Sequence, residues 1–424
     1  MSRLLNKAIL AILFCVLILL AGSSARAGET LTGDSGINPF SGALEVGVNT
    51  SGSYIVDGGS VVNRDGLSIA SNPSSSGQVT VTGAGTALSL GGGADPVPLS
   101  VGRQGAAVMT ISGGAVVDVS SGFSVVGQTA GSSGSLTLTD PGSRLVTMNN
   151  LGIGTAGVFT VANDASLNIL NGAGLDSVNA GISNGLQGGS PTGTETTDAT
   201  VVVSGSGSTW TLNGLTIAGQ NNATGTLIVS NGGSVSASQL QVATVGFTCI
   251  GSLQSVGNLQ VSSGALVQVD GLRVGENTCP GGTASSGTVR VQGQGALITS
   301  GGGPGGWAFG LSGGSAQFQI TQGGQMINNP STGVMVAPFA TGDADIHLAG
   351  DGSLFDAGRV LWLGWNPSTD SAGGTCTVTL GRKTVIRATQ IIVGPGCKVS
   401  GAGTLQGSVI NNGGSITRNV TILP

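Results

Sequence analysis

Four carboxylates crowd one stretch of the sequence: Asp343, Asp345, Asp351 and Asp356. Paired carboxylates are the working groups of glycoside hydrolysis, one as general acid and the other as base or nucleophile. The only histidine, His347, lies among them. A histidine-dependent triad would have to use it, yet no Gly-x-Ser-x-Gly nucleophile elbow accompanies it. Along Asp345-Ile346-His347-Leu348 polar and apolar residues alternate, so His347 and Asp345 are expected to face solvent together. Near these residues the marks of a pectinase-like hydrolase (Asn-x-Asp, Asp-Asp, Gly-His-Gly) are missing. The aspartates therefore read first as turn and surface residues, and catalysis through Asp343, Asp345 and Asp351 stands as the alternative.

Other chemistry-bearing patterns are weaker. Gly-x-Gly-x-x-Gly occurs at Gly152/Gly154/Gly157 and Gly301/Gly303/Gly306, but with 79 glycines in 424 residues chance supplies such matches. Neither opens a predicted helix, the context a nucleotide-binding loop needs. Calcium-binding Gly-Gly-x-Gly-x-Asp repeats are absent. Sugar-binding sites use exposed aromatics, and the chain has four Trp and one Tyr. Trp210 and Trp307 follow Gly-rich turns and are expected to cover a coil edge. Trp362 and Trp365 are expected on opposite faces of a strand. Asn222-Ala223-Thr224 is a glycosylation sequon, relevant only in a host with that machinery. No cofactor and no metal ligand set is expected.

Any such group must be positioned by the elements around it, and these begin after a leader. Arg3 and Lys7 precede an apolar run, Ala8 to Ala21, and Ala25-Arg26-Ala27 supplies an A-x-A cleavage site. Residues 1–27 read as a signal peptide, the apolar run being too short to span a membrane. Without Arg3, Lys7 and Arg26 the mature chain keeps 11 of its 14 basic residues against 19 acidic ones, a net of −8. Such a chain lacks the electrostatic footprint for nucleic acid, and no transmembrane segment is expected in it. Arg382, Lys383, Arg387, Lys398 and Arg418 all follow Asp370, the last acidic residue, and read as a solvated basic end.

Charged residues make up only 8% of the chain, while mean hydropathy is positive. Disordered chains have the opposite balance. Apolar residues fall in runs of three to six that alternate with Thr and Ser, as in Gln78-Val79-Thr80-Val81-Thr82 and Thr375-Cys376-Thr377-Val378-Thr379-Leu380. Period two with Val and Thr means strands with one buried face. Gly, Asn and Ser at the breaks supply turns.

The runs repeat. A first mark, Gly-x-Gly-Ser or a near variant, has its second glycine at 85, 142, 207, 295 and 352. Two of those intervals are 57; the longer ones contain a polar insertion (Asn184 to Asp198) and an extra partial unit (Leu259 to Gly275). A second mark, aliphatic-Gly, closes runs at Val101-Gly102, Val126-Gly127 and Val274-Gly275. A third, such as Ile111-Ser112-Gly113-Gly114-Ala115, follows it. The open-ended repeat and the scarcity of Asn-Gly hairpins predict an all-β, single-stranded right-handed parallel β-helix (a β-solenoid). It would form one domain over residues 28–424, with repeats at roughly 44–416. Read as three coils of about 20 residues, the 57-residue unit predicts about 20 coils and a rod on the order of 90 Å.

The grammar resembles the repeats of bacterial autotransporter (type V secretion) passengers and PEP-CTERM-associated exported proteins. The matching residues are Val203 to Trp210, Gly225 to Val235 and Val399 to Gly414. The resemblance implies a secreted or surface β-solenoid and no particular chemistry. The sequence departs from it in showing neither an amphipathic β-barrel nor a Pro-Glu-Pro anchor by Pro424.

Four cysteines follow the leader: Cys249, Cys279, Cys376 and Cys397. Cys249 and Cys279 occupy matching places in adjacent units, and Cys376 and Cys397 lie 21 apart, about one coil. Two disulfides, Cys249–Cys279 and Cys376–Cys397, are expected in an oxidising compartment. A four-thiolate metal site is the poorer alternative, because no Cys-x-x-Cys is present. The expectation is an exported bacterial protein, secreted or at the cell surface, with the periplasm the other open compartment. It would act structurally or as an adhesin on a cell-surface, matrix or polysaccharide partner. The alternative is a secreted carbohydrate-active β-helix lyase or hydrolase.

Overall fold

In a computed structural model of the chain, the described residues are 28–37, 42–91, 96–129, 131–153, 163–183, 197–218, 223–245, 254–277, 285–301 and 306–424. All their regular structure is strand. The strands build two long sheets, one of 15 strands (the front sheet) and one of 24 (the back sheet). The front sheet holds one strand from each coil. The back sheet holds the other two segments, which in places run on as one strand, as in Ser234–Val245. From Ser51–Val56 to Ser415–Ile416 every neighbouring pair in the front sheet is parallel. The fold is the expected parallel β-solenoid.

The coil is larger than the sequence reading had it. Ala106 pairs with Ser133 and Asp164 with Asp198, so one circuit takes 27 to 34 residues there. The 57-residue unit is therefore two coils, not three of about 20. Fifteen front strands at ~4.8 Å make a stack on the order of 70 Å, shorter than the 90 Å expected. The supposed extra unit at Leu259–Gly275 is an ordinary coil, in register on both sides. The first interval of 57 has a chemical cause. The first and third sequence marks occupy the same turn in different coils. Their glycines stack: the Cα of Gly114 lies 3.6 Å from where a Gly142 side chain would begin, and that of Gly172 3.5 Å from Gly207. Each keeps φ near +80°, which glycine adopts without strain.

From Gly85 to Gly207 the residue after that glycine alternates: Thr86, Ser143 and Ser208 are buried there, and Ala115 and Ala173 fill the same place in the coils between; Ser353 repeats the hydroxyl further on. Each hydroxyl accepts the amide N–H of the preceding coil's turn: Gly59 to Thr86 at 3.0 Å, Gly114 to Ser143 at 3.0 Å, Gly172 to Ser208 at 3.0 Å and Gly323 to Ser353 at 3.2 Å. It also donates back to a carbonyl four residues earlier, as Ser208 does to Ser204 at 2.7 Å. A buried N–H without a partner is expensive, and the hydroxyl removes that penalty for the coil beneath.

Inside, most front strands contribute one small residue and then two apolar ones, as in Gly134, Leu136 and Leu138. The small column runs through Gly77, Ala107, Gly134, Ala165, Ala199, Gly225, Gly257, Gly287, Ala316 and Ala344 to Cys376. A Cβ on Gly287 would sit 2.8 Å from the Val242 carbonyl and 2.9 Å from the Gly275 nitrogen. The corner that closes each circuit crosses there and leaves room for little more than a methyl. Cys376 and Cys397 end the column as register partners, Cα atoms 4.4 Å apart, and form the expected disulfide. Cys249 and Cys279 lie outside the described residues, as do the leader 1–27 and most of the insertions at 184–198 and 301–306.

Two outcomes follow. Ser208→Ala should lower stability by about 1–3 kcal/mol in chemical denaturation, because it strands the Gly172 N–H. Replacing Cys376 and Cys397 by Ser should lower it by about 3 kcal/mol, the loop entropy of a closure of that size, with no change in the far-ultraviolet strand signature.

Candidate functional site

The strand Asp343–Ala349 alternates as its sequence demands: Ala344, Ile346 and Leu348 point into the core, while Asp343, Asp345 and His347 face out. Asp343 accepts the Thr375 hydroxyl at 2.6 Å, and Asp345 stands between Gln317 and Thr377 of the flanking strands. Asp351 lies on the following turn and pairs with Lys383 at 2.6 Å, both largely exposed. The hydrogen bond from Lys383 to Asp351, with their charge attraction, raises the ammonium pKa. Asp356 belongs to the back sheet, where Arg387 Nε donates to it at 2.9 Å and the Gly358 amide at 3.0 Å. The four aspartates thus spread around one coil. Only Asp343 and Asp345 share a face, roughly 6.6 Å apart along an open strand.

The structure brings together a different pair. A groove of about 820 Å³ follows the axis along the outer starts of the front strands, from Thr32 to Thr200. Asp164 and Asp198 line it and are register partners on adjacent strands. Backbones at that distance put the carboxylates about 5 Å apart. Both are exposed, so water screens their repulsion. No group of three or more potential metal-holding side chains occurs among the described residues, and two carboxylates fall short of the six to eight oxygens of a calcium site. Sequence reasoning missed the pair because its members are 34 positions apart. The available signal was position: each immediately precedes the small residue that opens a front strand.

A buried polar constellation lies at the N-terminal end. Strand Glu29–Gly33 runs antiparallel to Ser51–Val56 and covers the first coil. Tyr54 donates to Glu29 Oε1 at 2.5 Å, and Arg64 Nη2 meets the same oxygen at 2.5 Å. Tyr54 is 2% exposed and Glu29 8%. This latch joins the covering strand to the first coil through one carboxylate oxygen shared by the phenol and the guanidinium, while Arg64 Nε has no partner among the described residues. Burial first, then the hydrogen bond to Glu29, holds the Tyr54 phenol pKa far above its ordinary value, against the opposing pull of Arg64.

The aromatic expectations need correction. Trp210 and Trp307 do not cover a coil edge; both are fully buried in the core. Trp210 donates to Ser177 Oγ at 3.1 Å, while the Trp307 indole N–H has no partner among the described residues. Trp362 lies on the outside over Gly333 of the preceding coil. Trp365 begins a short hairpin beyond the turn at Gly364 and donates to Asp370 at 3.3 Å. No helix of the described residues is long and apolar enough to cross a membrane. No family model matches the chain, nor does any curated protein or solved structure.

Tyr54 is the sole tyrosine, so phenolate absorbance reports on the latch alone. The folded chain should show no phenolate at about pH 11, where free tyrosine is ionised, and should gain it on unfolding. Because the folded pKa is the raised one, this group's contribution to stability is complete below about pH 10 and declines as pH rises further. Tyr54→Phe should remove that decline; an ordinary phenol titration in the native chain would disprove the latch.

Proposed function

We propose that the chain is an exported bacterial β-solenoid that acts as a structural or adhesive rod at the cell surface or outside the cell. The observation that carries this reading is a row on the outer face of the front sheet. Ser135, Ser166, Thr200, Thr226, Asn258, Thr288 and Gln317 occupy one register column on seven consecutive strands. All can both donate and accept hydrogen bonds, and none is charged. Neighbouring hydroxyls already bond along the axis, Ser166 to Ser135 at 3.0 Å and Ser230 to Ser204 at 3.0 Å. A row repeating at ~4.8 Å offers an extended, hydroxyl-rich polymer many weak contacts at once. A polysaccharide or a glycan-coated matrix has that chemistry.

Support for export comes from the leader-like residues 1–27 and the Cys376–Cys397 disulfide. The dispersal of the aspartates favours the rod over the lyase or hydrolase reading.

The purified chain should bind neutral or acidic polysaccharides, or fixed bacterial cells, without shortening the polymer. Thr226→Val with Thr288→Val should weaken that binding severalfold. Polymer cleavage that vanishes in Asp345→Ala would replace this reading with the carbohydrate-active one.

A further inference from the structure

The outer face of the back sheet changes character along the rod. In one register column Gln241 and Arg273 give way to Ala308, Met335, Trp362 and Ile392. Met335, Trp362 and Ile392 are all partly exposed. Trp362 lies within the stack, its strand paired with Gly333–Val336 on one side and Gln390–Val393 on the other. Unlike Trp210 and Trp307 it is not in the core. Its six-membered ring rests on the bare backbone of Gly333: a Cβ there would begin 2.5 Å from Cζ3 and 3.0 Å from Cη2. The glycine thus seats an indole on the outside of the sheet, where one side of it meets water.

Polar groups border this strip. The Arg359 backbone N–H donates to the Thr332 carbonyl at 2.8 Å, one residue before Gly333. Its long side chain therefore starts beside the glycine that carries the ring. Arg359 is exposed and has no ion pair among the described residues. Gln390, the register partner of Val360, is partly exposed on the next coil. Past the ring the chain turns at Gly364 into the short hairpin of Trp365–Asn366 and Ser371–Ala372, held by the Trp365 N–H on Asp370. The carboxylates of this region already have donors: Asp356 has Arg387 and Asp370 has Trp365. The coils that follow, residues 371–424, carry five basic residues and no acid.

We propose that Trp362 and Arg359 form a subsite for an anionic polysaccharide, the indole taking the apolar face of a pyranose ring and the guanidinium its carboxylate. This rests on the rod reading, whose polysaccharide partner it narrows to a uronic acid polymer held at a second, lateral place. A pyranose has a face of C–H groups and an edge of polar ones. An aromatic ring bordered by hydrogen-bonding groups matches both. The unpaired guanidinium supplies the charge complement, and its planar fork suits a carboxylate better than a hydroxyl. The front-sheet row offers many weak, uncharged contacts; this subsite adds a preference for charge.

The test is a fluorescence titration of the purified chain with polygalacturonate oligomers and with the same oligomers fully methyl-esterified. Trp210 and Trp307 are buried in the core, so a change on binding reports on the outer tryptophans. The acid form should bind about tenfold more tightly than the ester, the worth of one charge-assisted hydrogen bond, and the advantage should shrink as salt rises. Arg359→Gln should erase that preference and leave the ester affinity unchanged. Trp362→Ala should weaken both forms about fivefold, whereas Trp362→Phe, which keeps a ring in place, should retain the binding and lose the fluorescence change. Thr226→Val with Thr288→Val should weaken both forms without altering the preference. Equal affinity for acid and ester, a preference that survives Arg359→Gln, a fluorescence change that survives Trp362→Phe, or no binding of either form would each overturn the subsite. The rod reading falls only if the other polysaccharides and the fixed cells also go unbound.

Discussion

Within the stack of described strands, each inner coil sets its side chains against register partners roughly one strand spacing above and below. That constraint, imposed by the parallel hydrogen-bond ladder, governs most of what the chain can contain. Like charges stacked at that distance repel, so a solenoid with repeating coils has few places for charge. The 8% of charged residues reflects this. Several of the charges that do occur pair with opposite charges one coil away: Arg144 with Asp176, Lys383 with Asp351 and Arg387 with Asp356. A like-charged stack, Asp164 over Asp198, survives because both are exposed to water.

The same constraint explains the interior. A column of glycine and alanine persists because a corner of backbone crosses it in every coil. Cysteine enters that column only at Cys376 and Cys397, where two small thiols convert a steric restriction into a covalent tie. The buried hydroxyls of Thr86, Ser143, Ser208 and Ser353 do comparable work by hydrogen bonding. Each serves the turn beneath it, so alanine suffices in the coil between. Between Thr86 and Ser208 a chemical alternation is thereby laid over the stack.

A coiled path also redistributes chemistry. Residues a dozen positions apart, such as Asp343 and Asp356, end on different sheets, while residues one circuit apart become neighbours. Clusters in the sequence therefore disperse, and dispersed residues converge into rows. The rod reading uses such a row, from Ser135 to Gln317. It draws on order accumulated over many coils and not on a single pocket.

The strands, the turns and the parallel coil were legible in the sequence, because alternation and turn chemistry depend on each residue's immediate surroundings. The outward placement of Asp345 and His347 followed from the same local rule, and the Cys376–Cys397 pair from a spacing of 21 close to that of the shortened last coils. The number of residues in a circuit was not legible. It is set by the perimeter needed to enclose the stacked aliphatic columns, so the 57-residue repeat divided wrongly into three coils. Trp210 and Trp307 were misplaced because a turn nearby does not reveal whether a ring points in or out. The Glu29–Tyr54–Arg64 latch and the Asp164–Asp198 pair depend on which coil lies against which, and register fixes that only once every circuit is closed.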